Sequence, residues 1–87
     1  MAEIRTPVQP GPIFYEVFTG ALRIFGTNLK DWSAANGVDP NNAKMAATGG
    51  WNGPKARALR ARMIETVGED TFQRLYVERL RREQRAA

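Results

Sequence analysis

The segment from Leu29 to Thr48 constrains the fold most, because glycine and proline divide it into two short stretches of helix-forming residues. Gly37 supplies the positive φ that ends a first helix, and Val38 directs an apolar side chain into the crease between the helices. Asp39 followed by Pro40 predicts a capped second helix, since the carboxylate accepts a free backbone N–H and proline fits the first helical position. The segment therefore predicts a helix-turn-helix.

Three further helices are predicted, one before this segment and two after it. Apolar residues cover about half the circumference of a helix over Pro12 to Gly26, and Pro54 and Gly68 bracket another helix. A last helix begins at Glu69 or Asp70, with four apolar side chains predicted to face inward, namely Phe72, Leu75, Tyr76 and Leu80. No alternating strand pattern occurs. We therefore expect an all-α fold, a compact bundle of about five helices.

The positions of glycine and proline also indicate the domain organisation. Residues 1–11 contain Pro7, Pro10 and Gly11 and few apolar anchors, which predicts an extended, flexible N-terminal arm. Residues 12–87 then form a single helix-turn-helix domain with a basic C-terminal helix. The apolar face of Ile13 to Phe25 is broad for a surface helix, so it is either central in the core or partly covered by another subunit.

Positive charge is concentrated in the C-terminal part of the chain. The net charge is +4, and residues 1–53 carry four basic and four acidic side chains, whereas residues 54–87 carry nine basic and five acidic ones. Lys55, Arg57, Arg60 and Arg62 occur without an intervening acid. This imbalance favours a polyanionic partner, and the alternative is a solvated helix face that keeps a small protein soluble.

Composition also argues against several classes of function. The chain has no cysteine and no histidine, so it lacks thiolate metal ligands, the commonest zinc ligand and the commonest general base. We therefore expect no enzymatic activity, no metal and no cofactor. No apolar run approaches the roughly 20 residues that span a bilayer, and the N-terminus has no signal-peptide pattern. These features lead us to expect a cytoplasmic protein without a membrane partner.

Three sequence blocks carry a family resemblance. They are LKDWSAANGV from residue 29, DPNNAKM from residue 39, and GGWNGPKARALRARMIE from residue 49. In this order the chain resembles the small helix-turn-helix regulators of bacteriophages and prophage-like elements, of the repressor and Cro class, over about Phe25 to Val67. The resemblance implies binding of double-stranded DNA by a homodimer in the bacterial cytoplasm, associated with the nucleoid when bound, with the second motif helix in the major groove.

The outward positions of that second helix supply suitable chemistry for reading base pairs. Amides make bidentate contacts with adenine, lysine donates to guanine, and methyl-bearing side chains touch thymine. The predicted base-contacting residues are Asn41, Asn42, Lys44, Met45 and Thr48. The predicted phosphate-contacting residues are Lys30, Asn52, Lys55 and Arg57.

Structural roles compete with these assignments. The amides of Asn41 and Asn42 could instead satisfy nearby backbone groups early in the helix. Trp32 fits a core position better than a stacking platform, and Trp51 fits packing over a helix junction or contact with a partner.

Other functions also fit the sequence. A packaging or recombination accessory, similar to a small terminase subunit or an excisionase, would bind DNA in the same way. A helical protein-interaction module would instead contact polymerase or another regulator through the face of Ile13 to Phe25.

Overall fold

The computed structural model describes residues 6–86, which form five α-helices. The helices are α1 (Pro12–Ile24), α2 (Leu29–Ala35), α3 (Pro40–Thr48), α4 (Pro54–Val67) and α5 (Glu69–Ala86). The all-α prediction and the number of helices are confirmed. Among residues 6–86, no helix is long and apolar enough to cross a membrane.

Helix α1 is the centre of the bundle, since it packs against α3, α4 and α5. Its side chains Phe14, Val17, Phe18, Ala21 and Leu22 are buried. The ring of Phe14 lies 4.8 Å from that of Phe72 on α5, measured between centroids. Most of the broad apolar face predicted for this helix is therefore core.

The C-terminal end of that apolar face is not core. Ile24 is 79% exposed and Phe25 is 54% exposed. Helix α1 ends at Ile24, two residues earlier than predicted, and Gly26 follows with a φ of 82°. These two apolar side chains consequently face solvent in the isolated chain.

Helices α2 and α3 are joined by the turn that the sequence predicted. The Asn28 side chain caps α2 by accepting the backbone N–H of Asp31 at 2.9 Å. Gly37 has a φ of 68°, and the N–H of Val38 donates to the Ser33 carbonyl at 3.0 Å. Helix α2 packs directly against α3.

Helices α4 and α5 complete the core from the other side. The buried stripe of α4 is the predicted one, Ala56, Leu59, Met63 and Val67. On α5, Phe72 and Tyr76 are buried, whereas Leu75 is 38% exposed and therefore does not face inward as predicted. The spacing of Leu75 fits the apolar side of α5, but the neighbouring helix α1 leaves it at the edge of the contact.

Residues 6–11 of the predicted arm run without helix along α5 and the end of α3. Thr6 and Gln73 exchange two hydrogen bonds, from the Thr6 N–H at 2.9 Å and from the Gln73 amide at 3.1 Å. The Gln9 N–H donates to the Tyr76 hydroxyl at 3.1 Å, and the Gly11 N–H donates to the Ala47 carbonyl at 2.9 Å. The sequence did not indicate these contacts, and residues 1–5 of the arm lie outside the described residues.

Ser33 provides a first test of this packing. Its side chain is fully buried between α2 and the core, and its hydroxyl has no hydrogen-bond partner within residues 6–86. Burial of an unpaired hydroxyl costs about 1–3 kcal/mol in mutational data. We expect Ser33→Ala to raise the free energy of unfolding by about 1 kcal/mol, measured by urea denaturation.

A matched control separates this effect from helix propensity, which also favours alanine over serine. Ala34 is exposed in the same helix, so Ala34→Ser measures the propensity difference alone. Ser33→Val should destabilise the protein, because the added methyl groups have no space in a fully buried position. A gain no larger than the loss in Ala34→Ser would contradict the role assigned to the hydroxyl.

Candidate nucleic-acid interface

The local sequence fixes the orientation of α3 in the bundle. The Asp39 carboxylate caps the helix by accepting the N–H of Asn41 at 2.8 Å, and Pro40 occupies the first helical position. The alanines of the inner side, Ala43, Ala46 and Ala47, are fully buried. Their small side chains let α3 pack against α1, α2 and α4. The opposite side of α3 therefore faces solvent.

Four of the five predicted base-contacting residues are exposed on that side, Asn41, Asn42, Lys44 and Met45. Within the described part of the chain, the side-chain amides of Asn41 and Asn42 make no hydrogen bond, although the backbone N–H of Asn41 donates to Asp39. The alternative role of these amides in satisfying local backbone groups therefore has no contact to support it. Both amides are available to an external hydrogen-bonding partner.

Lys44 and Thr48 have contacts within the chain. The Lys44 ammonium lies 5.8 Å from the centroid of the Tyr15 ring, a cation–π distance. The Thr48 hydroxyl donates to the Lys44 carbonyl at 2.9 Å, and the Thr48 side chain is half-buried. The hydroxyl of Thr48 is therefore occupied within the chain, and its methyl group is the part suited to contact with another molecule.

The loop after α3 is held by backbone hydrogen bonds. Gly49 ends the helix with a φ of 91°, and the N–H groups of Gly49 and Trp51 both donate to the Met45 carbonyl, at 3.0 and 3.1 Å. A side chain at Gly50 would approach the Met45 methyl group to 3.3 Å. Trp51 is partly buried against the core. This loop consequently leads from α3 into α4 along a defined path.

Arg60 connects α4 to the end of α3. Its guanidinium donates to the Ala46 carbonyl at 2.8 Å and to the Asn52 side-chain oxygen at 2.7 Å. Burial lowers the pKa of Arg60 from its ordinary value, and the nearby charge of Arg57 lowers it further. Arg60, which the sequence groups with the basic cluster, therefore binds within the chain. Asn52 was predicted to contact a phosphate. Its side-chain oxygen is bound to Arg60, and only its amide nitrogen has no partner among the described residues.

No spacing rule could have revealed this contact, because Arg60 and Ala46 are on different helices. The signal in the sequence is indirect. The last carbonyls of α3 need donors from outside the helix, and a basic residue on the following helix supplies one.

Unpaired positive charge lies on α2, α3 and the start of α4. The side chains of Lys30, Lys44, Lys55 and Arg57 are exposed and form no ion pair within residues 6–86. Gly53 gives α4 no side-chain cap, so backbone N–H groups at the start of this helix stay open beside Lys55. Such an arrangement favours anions.

The basic C-terminal helix differs, because glutamates neutralise much of its charge. Arg79 binds Glu16 at 2.7 Å and Glu83 at 2.9 Å, and these contacts raise the pKa of Arg79. Glu78 lies 3.3 Å from Arg82 and 4.0 Å from Arg81. The excess charge of the sequence is therefore less available on α5 than a simple count suggests.

In the described part of the chain, no group of three or more acidic, histidine or cysteine side chains could hold a metal ion.

Comparisons with family models, with curated proteins and with solved structures find no match to this chain.

Proposed function

We propose that this chain binds double-stranded DNA and presents the solvent-facing side of α3 to the major groove. The observation that carries the proposal is the pair of exposed amides on Asn41 and Asn42, which have no hydrogen-bond partner among the described residues. They lie on a short helix whose inner side is alanine and whose ends are capped. A rigid helix with free polar groups is suited to reading base edges.

Each base contact follows from side-chain chemistry. Asn41 or Asn42 pairs its amide with N6 and N7 of adenine, and Lys44 donates to O6 and N7 of guanine or to a phosphate. Met45 and the methyl group of Thr48 contact the methyl group of thymine. These contacts supply sequence preference.

The surrounding cations supply affinity that does not depend on sequence. Lys30, Lys55 and Arg57 contact phosphates, together with the amide nitrogen of Asn52 and the open N–H groups at the start of α4. Arg60 is excluded from this set, because its guanidinium is already bound to Ala46 and Asn52.

The biological role that we propose is regulation of transcription, as the resemblance to small phage regulators implies. A role in DNA packaging or recombination would use the same helix. The two are separated by the geometry of the assembly on DNA, since a twofold dimer on a palindromic site fits a regulator and a closed ring fits packaging.

The experiment that tests DNA binding is selection from a pool of random duplexes, followed by sequencing of the bound fraction. We expect enrichment of one short motif. Absence of binding to every duplex at low salt would refute the proposal, because phosphate contacts are strongest under that condition.

The phosphate contacts make a separate prediction about salt. Lys55→Gln and Arg57→Gln should each reduce the magnitude of the slope of log K against log salt by about one, with little change in the preferred sequence. Binding of one fixed duplex over a salt series measures the slope. Arg74→Gln is the matched control, since Arg74 is an exposed, unpaired cation of the described residues that lies on α5.

Arg60→Gln should behave differently from both. It removes two charge-assisted hydrogen bonds and should lower the melting temperature, while the salt slope stays the same. An equal change of the salt slope in the variants of Lys55, Arg57, Arg60 and Arg74 would show that charge acts at long range. No phosphate contact could then be assigned to Lys55 or Arg57.

A further inference from the structure

A groove of about 280 Å³ runs between α1 and α5 on the surface. Its floor consists of Val17, Gly20 and Ala21 on α1, and the exposed side chains of Ile24 and Leu75 form its apolar walls. Phe25, which is 54% exposed, follows Ile24 directly. The structure thus places a concave apolar surface next to protruding apolar side chains.

No contact among residues 6–86 explains the glycine at position 20, in the floor of the groove. It lies inside α1, where glycine is less favourable than alanine. A side chain at this position would meet nothing within 4 Å, so packing among the described residues does not require glycine. The missing side chain deepens the groove and gives another surface access to the α1 backbone.

On the α5 side the groove carries both signs of charge, and these charges already form ion pairs within the chain, Arg79 with Glu16 and Glu83 and Arg82 with Glu78. The α5 residues that line it are Leu75, Glu78, Arg79 and Arg82. An antiparallel copy of α5, related by a twofold axis between residues 78 and 79, places Glu78 opposite Arg79 of the other copy. The same axis places Leu75 opposite the methylene groups of Arg82. The contact across the axis therefore adds to the ion pairs within each chain, since Glu78 and Arg79 keep their own partners, and in this arrangement the surface is complementary to itself in charge.

We propose that the groove between α1 and α5 is a homodimer interface, occupied by a second copy of this chain with the two α5 helices antiparallel. Self-complementarity is what an interface related by a twofold axis requires, because the same patch serves both copies. The exposed side chains of Ile24, Phe25 and Leu75 become buried in the dimer. The proposal goes beyond DNA binding and does not depend on it.

The first test is the oligomeric state of the full chain without DNA, measured by sedimentation equilibrium over a range of protein concentrations. We expect the apparent mass to rise from the monomer value of 9.7 kDa toward twice that value. Gly20→Leu fills the groove and should raise the dimer dissociation constant by about tenfold or more, as should Ile24→Glu. Neither change disturbs the core, since Gly20 has open space around it and Ile24 is 79% exposed.

The second test uses the predicted charge pairing. Glu78→Lys places like charges opposite each other in the homodimer, and so does Arg79→Glu, so each variant alone should be mainly monomeric. A mixture of the two restores both pairs, and we expect a heterodimer to form. Arg62→Glu is the control for charge reversal outside α1 and α5, since Arg62 is an exposed residue of α4 that does not line the groove. Circular dichroism verifies folding of each variant.

Three outcomes would overturn the proposal. They are a monomer at every concentration, a dimer unaffected by both Gly20→Leu and Glu78→Lys, and retention of an unrelated protein on the groove while the purified chain stays monomeric. Because these measurements contain no DNA, their failure leaves the duplex selection experiment unaffected.

Discussion

Trp32→Ala should lower the free energy of unfolding by about 3–5 kcal/mol, the range for a large aromatic removed from a packed site. The Trp32 side chain is 7% exposed and packs edge-on against Phe18, with 5.0 Å between ring centroids. Its indole N–H donates to the Thr66 hydroxyl at 2.9 Å. Trp32 therefore joins the short helix α2 to both α1 and α4.

A loss of this size is a large fraction of the total stability of such a domain, which is about 0.05–0.15 kcal/mol per residue. Urea denaturation followed by circular dichroism measures it, and Trp51 remains as a fluorescent probe in the variant. Trp32→Phe retains most of the packing but loses the hydrogen bond, so it should cost less. Thr66→Val removes the acceptor of the indole N–H and should destabilise by about 0.5–1.5 kcal/mol, the net value of one hydrogen bond, because Thr66 is exposed and water can replace its hydroxyl. If Trp32→Ala costs less than Trp32→Phe, the packing assigned to the indole ring is wrong.

Most helix boundaries could be predicted from the sequence because glycine and proline act locally, although α1 ends at Ile24, two residues earlier than predicted. Proline occupies the first position of α1, α3 and α4, where its missing N–H has no helical partner. Gly37 and Gly49 adopt the positive φ that ends a helix. These preferences depend on a few neighbouring residues, so they hold whatever the tertiary structure is.

The contacts between distant segments could not be predicted in the same way. Thr6 pairs with Gln73, and Arg60 pairs with Ala46, across separations that no periodicity describes. Leu75 has the spacing of a core residue but lies at the edge of α1, so it remains partly exposed. Such details depend on how the helices are arranged, which a sequence pattern does not specify.

The candidate site shows the same division. Helical phase alone predicted five outward side chains on α3. Asn41, Asn42, Lys44 and Met45 are exposed, whereas Thr48 is half-buried. Charge counting predicted a basic C-terminal part, but it did not predict that Arg79 would be paired with Glu16 from another helix. Which cations remain free is a property of the tertiary structure. Lys30, Lys55 and Arg57, which were predicted to contact phosphates, form no ion pair among the described residues, whereas Arg60 is bound within the chain.

Asn41→Ala and Lys44→Ala should each weaken binding to the selected DNA motif by about tenfold to a hundredfold, since a bidentate base contact discriminates by about 1–3 kcal/mol. Neither substitution should unfold the protein. The Asn41 side chain is exposed, and Lys44 has only the contact with the Tyr15 ring at 5.8 Å. Binding to a duplex without the motif should fall less for Asn41→Ala than for Lys44→Ala, because an amide carries no charge that attracts phosphates.

Matched controls for these two variants lie elsewhere on the chain. Gln84→Ala removes an exposed amide from α5, and Arg23→Ala removes an exposed cation from α1. Each control therefore removes the same kind of chemical group from a position outside α3. Gel-shift titrations with the selected motif and with a scrambled duplex measure the specificity ratio, and circular dichroism measures folding. The expected pattern is a lower ratio for Asn41→Ala and Lys44→Ala and an unchanged ratio for the controls. If the ratio is unchanged in all four variants, α3 does not read the bases, and sequence recognition must be assigned to a different surface.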